Sequence, residues 1–160
     1  MAEPSWLVGL FQADSTLAGL PLAFLLGATV GAEREWRQSP ASLRACTLIC
    51  VAAAGFADLA ITRVDPGNLG AAFGAIAQGV GFLGAGAILR EGLSVKGLST
   101  AATIWCVAAI GAQAGAQESV GAIWLTVLVL AVNLILKPLQ QLIHKWRPTP
   151  PSGDDEMLEG

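Results

Sequence analysis

The stretch QGVGFLGAGAILREG, residues 78–92, decides the fold. Gly79, Gly81 and Gly84 trace a GxGxxG, the outline of a dinucleotide-binding turn. Such a turn follows a strand, opens a helix and is answered by an acid about 20 residues later. Here the glycines lie inside an uncharged run, Pro66–Leu89, with no strand pattern before them and no polar lumen for a pyrophosphate. They belong to a long apolar helix, and their purpose has to be sought in packing.

Composition points the same way. Of 160 residues, 54% are hydrophobic and only 13% charged, and the mean hydropathy is +0.61. A soluble domain carries roughly 25% charge, so this chain lacks the polar surface to cover itself in water. About 20 apolar residues cross a bilayer. Uncharged windows of that order occur at Ser15–Ala32, Pro66–Leu89, Gly97–Gln117 and Ser119–Leu136, and Ala45–Thr62 is interrupted only by Asp58. The expected fold is an all-α membrane protein with five transmembrane helices, at about 15–33, 43–62, 68–90, 98–116 and 119–137. Residues 1–14, with Trp6, Leu7, Leu10 and Phe11, read as an interfacial lead-in. No cation precedes the first span, so it does not read as a cleavable signal. Residues 138–147 read as a juxtamembrane segment able to lie on an anionic leaflet, and 148–160 as a disordered tail.

Short cytoplasmic loops collect Lys and Arg. Arg34, Arg37, Arg44, Arg90, Lys96, Lys137, Lys145 and Arg147 fall on one side of this layout and only Arg63 on the other. That split places the N-terminus outside and the C-terminus in the cytoplasm. Trp36 and Trp146 then sit at the inner interface, Trp6 and Trp124 at the outer one. Trp105 lies near mid-membrane, where an indole N–H wants an acceptor, and is expected to face protein.

The chain also resembles itself. At an offset of 56, Ala45–Gly55 falls on Ala101–Gly111 with seven of eleven positions identical, and Arg34-Glu35 falls on Arg90-Glu91. This implies a parallel repeat of two helices plus two, with the fifth as an extra.

The glycines now have an expected role. Lipid tails are as apolar as leucine, so helices in a bilayer associate through small residues that let backbones approach. Gly27-xxx-Gly31, Gly70-xxx-Gly74, Ala77-xxx-Gly81-xxx-Ala85 and Gly111-xxx-Gly115 form such stripes. The third helix, with Gly79, Gly81, Gly84 and Gly86 besides, is expected at the centre of the bundle. The alternative is a locally unwound helix at Gly79–Gly86 whose free carbonyls coordinate a cation.

Chemistry is expected on the cytoplasmic side. Arg34 and Arg90 suit the negative C-terminus of a helix, whereas Glu35 and Glu91 do not and need partners. With Arg44, Ser99 and Thr100 they form a candidate polar cluster that could bind a cation, dock a partner or lock the two inner loops together. Glu33 and Arg37 stand in the favourable order for an i,i+4 ion pair. Ser39-Pro40 offers a cap for the second helix, and Ser99 or Thr100 one for the fourth. Gln78 lies within the third helix and is expected to find a hydrogen-bonding partner inside the bundle. Cys46, Cys50 and Cys106 read as buried small thiols, with no histidine beside them to suggest a metal. No catalytic triad, phosphate loop or nucleic-acid-binding surface is present.

Three stretches resemble the MgtC/SapB family of bacterial inner-membrane proteins: LGATVGAEREWR (26–37) with Leu43-Arg44, GFLGAGAILREG (81–92) and VKGLSTAATIWC (95–106). The resemblance covers about residues 17–136. It implies a part in adaptation to low magnesium and in survival of pathogens inside macrophages, with restraint of the F-type ATP synthase as the proposed action. By position it assigns importance to Glu91 and Cys106. It places Ser99 where the best-known members have Asn, and a Gln near Ala75, one turn from Gln78. Longer members add a soluble C-terminal domain that these 160 residues do not contain. The expectation is therefore a non-enzymatic modulator, homo-oligomeric in the bilayer, that contacts a synthase subunit or another membrane protein. No cofactor is expected, magnesium or another cation being the one left open. The alternative is a small oligomeric cation channel or transporter with its site near Gly79–Gly86 or Glu91. A protein built only to pack as a homodimer is a third reading.

Overall fold

The computed structural model describes residues 18–39, 41–91 and 94–136. The helices are α1 (Gly19–Trp36), α2 (Leu43–Arg63), α3 (Leu69–Gly86), α4 (Leu98–Gly115) and α5 (Ser119–Ala131). A single 3-10 turn, Pro66–Asn68, leads into α3. Leu43–Arg63, Pro66–Gly86, Leu98–Gly115 and Ser119–Leu136 are long and apolar enough to cross a membrane. In α1, the last turn carries Glu33, Arg34 and Glu35. The chain divides into residues 1–130 and 131–160. Of the second unit the structure describes Ala131 and the π-helical turn Val132–Leu136. The interfacial lead-in (1–14), the juxtamembrane segment (138–147) and the tail (148–160) lie outside the described residues.

One element departs from an all-helical reading. The third helix, expected to reach residue 90, ends at Gly86. Ala87 N–H and Ile88 N–H donate to the carbonyls of Gly84 and Ala85, tightening the last turn. Leu89–Glu91 (β1) then pairs antiparallel with Ser94–Lys96 (β2), in the register Leu89↔Lys96, Arg90↔Val95, Glu91↔Ser94. Two glycines in the final turn weaken the helix, and the backbone groups freed there are satisfied across the hairpin. Gly97, which precedes α4, has φ 91. A side chain there would be strained by that angle and would also strike the Ala87 carbonyl.

The centre of the bundle is α2, not α3. It packs along α1 on one side and α4 on the other, while α3 leans chiefly on α4. Most of the core is small side chains, among them Ala23, Cys46, Cys50, Ala53, Ala54 and Ala114, all at most 2% exposed, with Ile110, Val30 and Val107 the largest fully buried. Backbones therefore meet almost directly. A Cβ on Gly27 would lie 2.6 Å from the Cβ of Cys50, and one on Gly31 would lie 2.8 Å from the Cα of Leu43. From the other flank, a Cβ on Gly111 would overlap the Cys50 carbonyl, and one on Gly115 the Ala54 carbonyl. Cys50 is thus held between a glycine of α1 and a glycine of α4. On α5, Ala122, Thr126 and Val129 are buried on one face.

The expectation that glycine-rich α3 is contacted from several sides is overturned. Among the described residues a Cβ on Gly70, Gly74, Gly79, Gly81 or Gly86 would meet nothing within 4 Å, and only one on Gly84 would meet another helix, at Ala101. Val80 and Gly84 are the buried residues of α3. A groove of about 880 Å³ opens between α2 and α3, bordered by Leu48, Phe56, Leu59, Ala72, Gly79 and Leu83.

Candidate functional site

Of the polar residues predicted to cluster, Arg34 and Thr100 meet where α1 ends and α4 begins, and Glu35 reaches the start of α2. Arg34, in the last turn of α1, is buried at 6% exposure. Its Nη2 donates to Oγ1 of Thr100, in the first turn of α4, at 3.1 Å. These residues are 66 apart in sequence, so one hydrogen bond ties the first helix to the fourth across the bundle. The Nε of Arg34 is buried with no hydrogen-bond partner among the described residues. A guanidinium so enclosed makes the hydroxyl of Thr100 valuable, because a hydrogen bond to a charged donor is stronger than a neutral one.

Glu35 resolves the conflict raised by its place at a helix C-terminus. The residue is exposed, and its Oε2 accepts the backbone N–H of Leu43 at 3.0 Å. The carboxylate reaches forward to the start of α2, where the helix dipole favours negative charge. Ser42 Oγ accepts from Ala45 N–H at 3.3 Å beside it. The cap of α2 is therefore Ser42, and not Ser39 as expected. Ser39 instead donates its N–H to the Arg34 carbonyl across the αL residue Gln38, at φ 52, in the manner of a Schellman turn. Gln117, at φ 64, closes α4 in the same way. Glu33 and Arg37 form the predicted pair, Oε1 to Nε 2.7 Å.

The remaining predicted residues are not brought together there in the same sense. Arg44 is exposed on the first turn of α2. Ser99 is exposed, its carbonyl accepting from Thr103 Oγ1 at 2.9 Å. Neither Ser99 nor Thr100 caps α4, because Gly97 stands at the cap without a side chain to offer. The structure places Arg90 and Glu91 on β1, while their side chains lie outside what is described. Arg34-Glu35 and Arg90-Glu91, paired by the internal offset, thus end a helix in one case and form a strand in the other.

Two expectations about membrane-embedded residues are corrected. Trp105 was expected to face protein but is 55% exposed. It borders a second groove, of about 390 Å³, between α3 and α4. Gln78 was expected to find a partner in the bundle. It is exposed on α3 and makes no hydrogen bond among the described residues. The physical reason is common to both: α3 stands off from its neighbours, so the positions around it open outward. Cys106 is half-buried and free, while Cys46 and Cys50 are buried and free. No group of three or more metal-ligating side chains forms among the described residues. The sequence places Thr100 with Arg34 in one candidate cluster, but nothing in it signals the acceptor role, since the internal offset pairs Thr100 with Arg44 rather than with a hydroxyl.

Comparison with known proteins agrees with the resemblance seen in the motifs. Residues 20–142 match the model of the MgtC family. The chain is 43% identical over 129 residues to Protein MgtC of Salmonella typhimurium, covering 81% of the chain and 55% of that protein. It is 45% identical over 132 residues to Protein MgtC of Brucella abortus, covering 81% and 54%. It is 41% identical over 131 residues to an uncharacterised protein of Synechocystis, covering 82% and 56%. The chain thus spans about half the length of these relatives. No solved structure matches it significantly. With the matched region running from α1 through α5 and including both ends of the Arg34–Thr100 bond, the chain belongs to the MgtC family.

Proposed function

We propose that the chain is a non-enzymatic modulator in the bacterial inner membrane, acting in adaptation to low magnesium by contact with other membrane proteins. Its foremost partner is an F-type ATP synthase subunit. The N-terminus faces outward and the C-terminus the cytoplasm, in keeping with the distribution of cations. The observation that carries this reading is the open groove between α2 and α3, whose walls are almost wholly apolar from Leu48 to Leu83. Packing between helices in lipid rests on van der Waals fit rather than on burial from water. A wide slot beside the open Gly79 suits one apolar helix of a partner.

The test is co-purification of synthase subunits with the full chain from bacteria grown in low magnesium. Gly79→Leu, which fills the groove at a position where a Cβ would meet none of the described residues, is expected to abolish recovery of the subunits while leaving the protein folded and in the membrane. Unchanged recovery would sink the groove as the contact. A Glu91-dependent cation flux in liposomes holding only the purified chain would replace this reading with that of a transporter.

A further inference from the structure

Helix α3 turns Val80 and Gly84 towards the bundle. On its opposite side Ala71, Ala75, Gln78, Phe82 and Ala85 recur at alternating spacings of four and three, and all are exposed. That is the periodicity with which one helix faces another along a shared seam. Gly74 and Gly81 flank the seam, with no atom of the described residues within 4 Å of where a Cβ would stand. Phe82, at 81% exposure, is its one large side chain.

Gln78 lies at the middle of this face and midway along the helix. In a span of this length the middle is the driest depth of the bilayer. Its amide has no hydrogen bond among the described residues, and lipid tails offer neither donor nor acceptor. A primary amide carries both. It is therefore complementary to a second copy of itself: two glutamines related by a twofold axis can each donate to the other. A different partner would need its own amide or hydroxyl at the same depth, whereas a second copy supplies one by symmetry. The small residues around it allow the close approach that such a bond requires.

We propose that two copies of this chain pair through the outward face of α3, with their Gln78 amides hydrogen-bonded across the twofold axis at mid-membrane. The pairing uses the side of α3 away from Val80 and shares one residue, Ala75, with the wall of the groove between α2 and α3. It requires only that α3 spans the bilayer, and not the synthase contact proposed above.

The experiment is oxidative cross-linking of the purified full chain, reconstituted alone in phosphatidylcholine vesicles, so that no synthase is present. Cysteine is introduced singly along α3, with Cys106 replaced by Ser and the buried Cys46 and Cys50 left in place. Ala71→Cys, Ala75→Cys, Phe82→Cys and Ala85→Cys are expected to give a covalent dimer, and Ala72→Cys, Ile76→Cys and Leu83→Cys little or none. In parallel, the dimer fraction is followed by energy transfer between labelled copies. Gln78→Leu is expected to weaken association about tenfold, while Gln78→Asn retains most of it. Cross-linking with no periodicity, cross-linking strongest at Ala72 and Leu83, or an association unchanged by Gln78→Leu would each overturn the pairing.

Discussion

Helices α1 and α3 are both 18 residues long and both rich in glycine, yet they use it in opposite ways. On α1, Gly19, Gly27 and Gly31 are each pressed against a neighbouring helix, at Ala114, Cys50 and Leu43. On α3, five of the glycines face open space and one, Gly84, touches Ala101. A small-xxx-small spacing therefore marks a surface that permits close approach. It does not say whether the approaching partner lies in the same chain. In α1 the partner is α2, already at hand. In α3 the surface is left open by the described residues, and it is the face on which the pairing proposed above would form.

The contrast can be tested by adding side chains where the glycines are. The largest effect is expected at Gly111, whose Cβ would overlap the Cys50 carbonyl. Backbone cannot yield as a flexible side chain does, so Gly111→Leu should cost about 3 kcal/mol or more and lower the yield of folded protein in detergent. A melting curve at or above that of the parent protein would contradict the tight α2–α4 contact. Next comes the bond across the bundle. Thr100→Val keeps the shape but removes the acceptor for Arg34, and should cost about 1–3 kcal/mol, read as a fall in the thermal midpoint. Thr100→Ser, which keeps the hydroxyl, should recover most of that loss.

A smaller effect is expected at Glu35, whose carboxylate caps α2 at Leu43. Glu35→Ala should cost about 1 kcal/mol, seen as faster hydrogen exchange at the first amides of α2 with α4 unaffected. The smallest change has the opposite sign. Gly70 is helical and has nothing within 4 Å, so Gly70→Ala should stabilise α3 by about 0.5–1 kcal/mol. Gly27→Ala, made where the approach to Cys50 is close, should destabilise. If both substitutions act in the same direction, the difference between the two helices is not real.

Much of this was legible in the linear chain. Of the five apolar windows, four coincide with helices long and apolar enough to cross a bilayer, while α1 is not among those four, and the Glu33–Arg37 pair followed from helical periodicity. Glu35 was recognisable as needing a partner, but the partner proved to be a backbone amide eight residues on. Backbone amides leave no trace in residue type. The left-handed Gln38 and Gln117 were hidden for a related reason, since glycine usually marks such a position and here glutamine fills it. The hairpin at Leu89–Lys96 was read as the end of a helix because three-residue strands are too short for alternation to stand out.

By itself the amino-acid order determined that this is a membrane protein, where its four helices long and apolar enough to cross a bilayer lie, and which residues are small enough for helices to touch. These are properties of local composition and length, and the solvent reads them segment by segment. Tertiary structure alone decided that α2 rather than α3 is central, that Arg34 reaches Thr100, and that Gln78 looks outward. In lipid, apolar residues do not sort themselves into inside and outside as they do in water. The choice of which small face closes on which is made only when all the helices compete for the same contacts.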